Sequence, residues 1–224
     1  MTRTKLKDRV LPTYTKGEEI FNMVSHIVGG ALGIVAVVLC VIMAAVHNNV
    51  YGIVGGAIYG FTMILLYTMS SIYHGLKPDK MAKKVFQIFD HCSIFLLIAG
   101  TYTPITLSSI MRVSAWDAWW MFGIIWGAAV FGIILNSIDL KSTRKISLIA
   151  YLLMGWCIVA KFGVLVKAMS AGGILFLVLG GVAYSVGVIF YVLGKKKKYF
   201  HSIFHLFILL GSLLHFFCIL FYVV

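Results

Sequence analysis

Five residues in three short clusters could do chemistry together. Ser70 and His74 close one apolar run, Asp90 stands near the start of the next, and His201 and His205 open the last. His201 and His205, in HSIFH, are four apart, which on a helix puts both on one face about 6 Å apart. Two imidazoles at that spacing can hold one metal ion, although two satisfied buried histidines would read the same way. Ser70 and His74, in SSIYH, repeat the spacing. A third imidazole at the same depth would leave one open position on a zinc ion, the pattern of a catalytic site. Ionisable side chains inside a membrane are costly, so each is a candidate functional group.

Asp90, in QIFDH, begins an apolar helix. There it either stabilises the helix N-terminus through the dipole, or ligates the metal, or partners a metal-bound water. We favour the last. His91 lies about 100° further round the helix and is expected to face elsewhere. Glu19, Asn22 and His26 fall at i, i+3 and i+7 in EEIFNMVSH, on one face. His26 could be a ligand. Glu19 and Asn22 are expected to orient other site residues, with an interfacial helix start as the plain alternative. Ser212 and His215 continue the face of His201 and His205 along the last run. His215 is about 21 Å from His201 along the axis, too far to share its metal, so it marks a cavity or a helix–helix hydrogen bond. His47 falls in a loop and is expected to be solvated.

The elements that position these groups are long apolar runs. Of the 224 residues, 61% are hydrophobic and only 12% charged, too few polar groups to cover a soluble domain of this size. A membrane-crossing helix needs about 20 apolar residues. Seven such runs are legible, at about 20–46, 51–74, 87–110, 117–138, 146–168, 173–194 and 201–223. The expected fold is an all-α seven-helix membrane bundle covering 19–224, preceded by a short basic segment, 1–18. That segment is polar and the following run is too long for a signal peptide, so the first span is expected to stay as an anchor.

Sixteen of the nineteen Lys and Arg residues lie on one side of alternating loops, leaving only Arg112, Lys161 and Lys167 on the other. This places the N-terminus in the cytoplasm and the C-terminus outside. Ser70, His74, Asp90, His201 and His205 then all lie near the inner face. Trp116, Trp119 and Trp120 mark the outer aromatic belt. The net charge of +12 is spread over short loops, which argues for anionic lipid head groups as partners and against nucleic acid. Cys40, Cys92, Cys157 and Cys218 fall singly in four runs and read as small core residues. Gly29 and Gly33, with Gly52, Gly56 and Gly60, have the four-residue spacing that lets two backbones approach. Pro104 should kink the third span, with a threonine hydroxyl taking the freed carbonyl.

These clusters together resemble the progestin and adipoQ receptor superfamily, specifically its bacterial hemolysin III branch. The likeness runs along nearly the whole chain from Glu19. It rests on E-x-x-N-x-x-S-H at Glu19, Asn22, Ser25 and His26, on S-x-x-x-H at Ser70 and His74, on Asp90, and on H-x-x-x-H at His201 and His205. The resemblance implies a zinc ion near the cytoplasmic side, bound by His74, His201 and His205, with a water in the fourth position, Asp90 bonded to that water and Ser70 beside it. It extends to alkaline ceramidases, membrane hydrolases that cleave lipid amides. Receptors of the superfamily often carry a long cytoplasmic N-terminal domain where this sequence has about 18 residues, so a hormone-receptor role is not expected.

The leading expectation is a zinc-dependent intramembrane hydrolase of a lipid amide or ester. Asp90 would be the general base, and Ser70 would position substrate or support the oxyanion. The alternatives are non-enzymatic. One is cytolysis by pore formation, which the hemolysin name implies. The other is a regulator or sensor of membrane state braced by a structural zinc, with His26 as the fourth ligand.

Overall fold

The computed structural model describes residues 4–194 and 197–224, so Arg3, Lys195 and Lys196 of the basic tally lie outside the described residues. The chain is all-helical among them. In order come α1 (Lys16–Val46), α2 (Val50–Gly75), α3 (Met81–Pro104), α4 (Ala115–Trp156), α5 (Phe162–Ala168), α6 (Ala171–Leu193) and α7 (Phe200–Tyr222). Six helical stretches are long and apolar enough to cross a membrane, and Ala115–Ala168, with 54 residues, is one of them.

That stretch differs from the expected pair of spans, 117–138 and 146–168. In place of a loop there is one residue, Asp139, with φ −154° and ψ 88°, and helix runs on from both sides of it. The arms fold back on each other there. Asn136 Oδ1 accepts from Ser147 Oγ at 2.6 Å, and Asn136 Nδ2 lies 3.3 Å from the Tyr151 hydroxyl. In a straight helix Asn136 and Tyr151 would stand about 22 Å apart. Lys141, Arg144 and Lys145 therefore sit on helix rather than in a loop. α3 also begins six residues before its expected start, at Met81 rather than residue 87, which puts Asp90 in its third turn.

Pro104 ends the regular part of α3. A π-helical turn, Ile105–Ser109, and a 3-10 turn, Ile110–Arg112, follow. The threonines around it bond the carbonyls of Leu97, Ala99 and Tyr102, rather than that of Gly100, which the proline deprives of its usual donor.

α1 and α2 pack antiparallel through their glycines. A Cβ on Gly60 would stand 2.6 Å from the Val37 backbone nitrogen, and one on Gly33 would stand 2.9 Å from that of Ile64. A backbone neighbour cannot swing aside. Gly60→Ala should therefore cost about 1–3 kcal/mol, read as a lower unfolding midpoint of the purified protein. An unchanged midpoint would mean that the contact has slack.

α7 packs between α1 and α6, and tyrosines of α2 reach across to it. The Tyr59 hydroxyl donates to the Ser212 carbonyl, and the Tyr67 and Tyr184 hydroxyls meet Ser212 Oγ. His215 Nε2 donates to the Leu177 carbonyl, so this histidine is the helix–helix bond that its place in the stripe allowed. His47 is not simply solvated: its Nδ1 donates to the Val224 carbonyl at 3.2 Å. All four cysteines are free; Cys40, Cys92 and Cys218 are buried and Cys157 partly so.

Candidate metal centre

α1 brings the first part of the site. Thr15 caps it reciprocally with Glu18, the N-cap hydroxyl taking the Glu18 backbone N–H while the Glu18 carboxylate takes the Thr15 N–H. The same carboxylate accepts the Tyr199 backbone N–H at 2.6 Å. Tyr199 is in the left-handed conformation, φ 62°, directly before α7. One buried glutamate thus fixes the start of the first helix against the start of the last.

Within that frame His74, His201 and His205 converge. Each offers one ring nitrogen, and the three atoms lie within 4.8 Å of one another. His201 Nε2 and His205 Nε2 are 3.1 Å apart. His74 Nδ1 lies 2.6 Å from Glu19 Oε2, which leaves its buried Nε2 without any partner. Neutral imidazole has one N–H and one lone pair, so donation from Nδ1 to the carboxylate aims the Nε2 lone pair at the other two rings. Glu19 is held in turn by Lys83, whose Nζ reaches Glu19 Oε1 at 2.7 Å and the Leu76 carbonyl at 2.9 Å. Lys83 is 1% exposed, a buried cation with two acceptors rather than one more solvated loop charge. This group of three histidines could hold one metal ion.

The other expected residues surround it. Asp90 and Ser70 stand close together and line a chamber with His201 and His205. His26 lines the same chamber and stacks on His205 with ring centres 3.8 Å apart; both its nitrogens are buried without partners. Neither Asp90 nor His26 belongs to the three-atom group. Asn22 is fully buried, and its side-chain amide meets no hydrogen-bond partner. His91, expected to face away, instead lines both the chamber and a second cavity. Its Nδ1 donates to the Gln87 carbonyl and its Nε2 points toward the Tyr191 hydroxyl.

Two cavities meet at this cluster. The chamber is about 180 Å³ and runs outward among apolar side chains such as Leu97, Ile98 and Leu177. Its wall includes Val159, Phe162 and Val178, which are also exposed on the outer surface of the bundle. The second cavity, about 510 Å³, is a polar vestibule roofed by residues 9–14.

Tyr14 lines the vestibule beside His201. Its ring stacks on His201 with centres 4.8 Å apart, and lies 5.7 Å from that of His74. Burial raises the Tyr14 phenol well above its ordinary value, and Tyr191 and Glu19 push the same way, so it stays protonated. Sequence reasoning missed Tyr14 and Lys83, because neither shares a helical repeat with the histidines.

The family model described as haemolysin-III related matches residues 14–216. Hemolysin-3 of Bacillus cereus is 39% identical over 206 residues, 92% of either chain. The Hemolysin-3 homolog of Bacillus subtilis (strain 168) is 38% identical over 211 residues, 94% of this chain and 97% of its own. Monocyte to macrophage differentiation factor of Homo sapiens is 25% identical over 167 residues, 72% of this chain and 67% of its own. With six apolar helices long enough to cross a bilayer, the chain belongs to the haemolysin-III related family, in the progestin and adipoQ receptor superfamily, and is a multi-pass protein of a bacterial cell membrane.

Proposed function

We propose that this protein is a zinc-dependent intramembrane hydrolase of a lipid amide or ester. One observation carries the reading: three converging imidazoles, Ser70 and Asp90 stand at an apolar chamber whose wall reaches the outer surface.

The donor set fits zinc. Two imidazole nitrogens on a tetrahedral zinc, each about 2.0–2.1 Å from it, would be about 3.3 Å apart. His201 Nε2 and His205 Nε2 are 3.1 Å apart, and the orphaned His74 Nε2 completes three ligands. When bound, zinc supplies Lewis acidity, polarising a carbonyl and making a nearby water easier to deprotonate. Glu19 keeps His74 in the tautomer that ligates, and Lys83 keeps Glu19 in place. Asp90 takes the proton from the attacking water and returns it to the leaving amine or alcohol. Ser70, close to Asp90 on the chamber wall, can donate toward the developing oxyanion. The chamber holds the acyl chain and excludes bulk water.

The test is zinc content and lipid turnover on one purified preparation, with and without chelator. About one zinc per chain is expected, with turnover lost on chelation and restored by zinc. A fully zinc-loaded protein that turns over neither lipid amides nor lipid esters would overturn the hydrolase. One observation would then favour a different role. The partnerless His26 ring beside His205 is placed to supply a fourth imidazole, which would make the zinc a structural brace in a regulator of membrane state or in a cytolysin.

The reading includes seven crossings, with the N-terminus cytoplasmic and the C-terminus outside. A straight helix over Ala115–Ala168 would be about 80 Å long, against a hydrocarbon core of about 30 Å. The fold-back at Asp139 supports two crossings there. A reporter fused after Val224 should therefore be found on the outer side. A cytoplasmic C-terminus would remove one crossing and, with it, the shared depth of His74 and His201.

A further inference from the structure

The vestibule holds a charge that the catalytic reading does not use. Arg9 is 6% exposed, and its Nε and Nη1 are buried with no hydrogen-bond partner. It makes no ion pair among the described residues. The carboxylate that faces it, Asp139, is committed elsewhere: Oδ2 accepts the Thr4 backbone N–H at 3.0 Å and Oδ1 that of Lys141 at 3.1 Å. Arg144 lines the same cavity. Its Nε donates to the Tyr191 hydroxyl and its guanidinium lies over that ring, which leaves the terminal nitrogens for another acceptor. Lys141 adds a third positive group to the wall, against Asp90 on the side of the histidines.

A buried guanidinium with two nitrogens left unpaired is costly, and a protein gains by keeping one only where something else pairs with it. We propose that the vestibule is a phosphate-binding site, with Arg9 and Arg144 gripping the phosphate oxygens and Lys141 adding charge. Two planar forks and an ammonium on one 510 Å³ cavity suit a tetrahedral anion with several oxygens better than a carboxylate with two. The phosphate is that of an anionic lipid head group or of a small soluble phosphate, since the chemistry is the same. As a head-group subsite it extends the hydrolase reading, but the anion contacts need neither zinc nor turnover.

The experiment uses the full-length purified protein. One arm titrates inorganic phosphate in detergent. The other compares nanodiscs of phosphatidylcholine alone with nanodiscs that also contain phosphatidic acid. The unfolding midpoint is read in both, because a ligand that binds only the folded state raises it. Every titration is repeated on His205→Ala, so that phosphate bound to a metal is excluded and failure of the hydrolase reading stays separate.

The wild type should show a saturable rise with at least one probe. A response to both means that free phosphate suffices; a response to phosphatidic acid alone makes the source a lipid. Arg144→Gln should weaken binding about tenfold or more. Arg9→Met should do two things at once: raise the midpoint without phosphate by about 2–4 °C, because an unpaired buried charge is gone, and abolish the phosphate response. Arg112→Gln, outside the vestibule, should respond as the wild type does. No saturable rise with either probe overturns the proposal. So does a phosphate response in Arg9→Met equal to the wild type. If Arg9→Met does not fold, undiminished binding by Arg144→Gln overturns it alone.

Discussion

Asp90→Asn should keep the metal and lose the reaction. The amide has the size and shape of the carboxylate, so the chamber wall should keep its form. It cannot take a proton from water, and general-base assistance is worth about 10²–10⁴ in rate. Turnover of a lipid amide or ester should fall by about that factor. Zinc should stay near one per chain, because Asp90 is not among the three converging donors. Loss of a neighbouring polar group can still weaken affinity by about 10–100-fold, so zinc is best measured at saturating metal. Undiminished turnover would rule Asp90 out as the base. Loss of zinc at saturation would make it a ligand.

His205→Ala should empty the site. Two imidazoles from separate helices remain, too few to hold zinc through purification. Zinc should drop from about one per chain to near zero, as metal analysis would read. Full occupancy in this variant would refute the three-histidine assignment. His26→Ala is the informative companion. On the hydrolase reading it keeps its zinc, because His26 stacks on His205 without joining the converging atoms. If it loses zinc as fully as His205→Ala does, the site is closed by four imidazoles and a structural role follows.

The parts legible in the sequence were those with a repeat. Hydrophobic runs gave the helices, and two four-residue spacings at matched depth gave His74, His201 and His205. The joint at Asp139 was not legible, because one residue with extended backbone leaves no glycine or proline behind. Lys83 was hidden for a different reason. In the sequence it is one lysine of a basic loop, and only the approach of α1 turns it into the partner of Glu19. Tyr14 and Arg9 lie before the first apolar run, where periodicity has nothing to say. The Thr15–Glu18 capping box was legible but is local, and nothing local reveals that its carboxylate also reaches Tyr199. His91 misled because a 100° turn from Asp90 was read as facing away, whereas both residues line the same cavities.

The bond from Glu18 to Tyr199 has a consequence for biogenesis. Chains emerge and insert from the N-terminus, so α1 and α2, with Glu19 and His74, enter the bilayer long before α7 exists. The two remaining imidazoles, His201 and His205, come last. No nascent intermediate carries a complete donor set, and none can sequester metal early. The last helix closes a ring against the first, and on the zinc reading ion capture would be the final act of assembly. On the zinc reading, a prematurely terminated chain would be distinguishable from a finished one by its inability to take up metal at all.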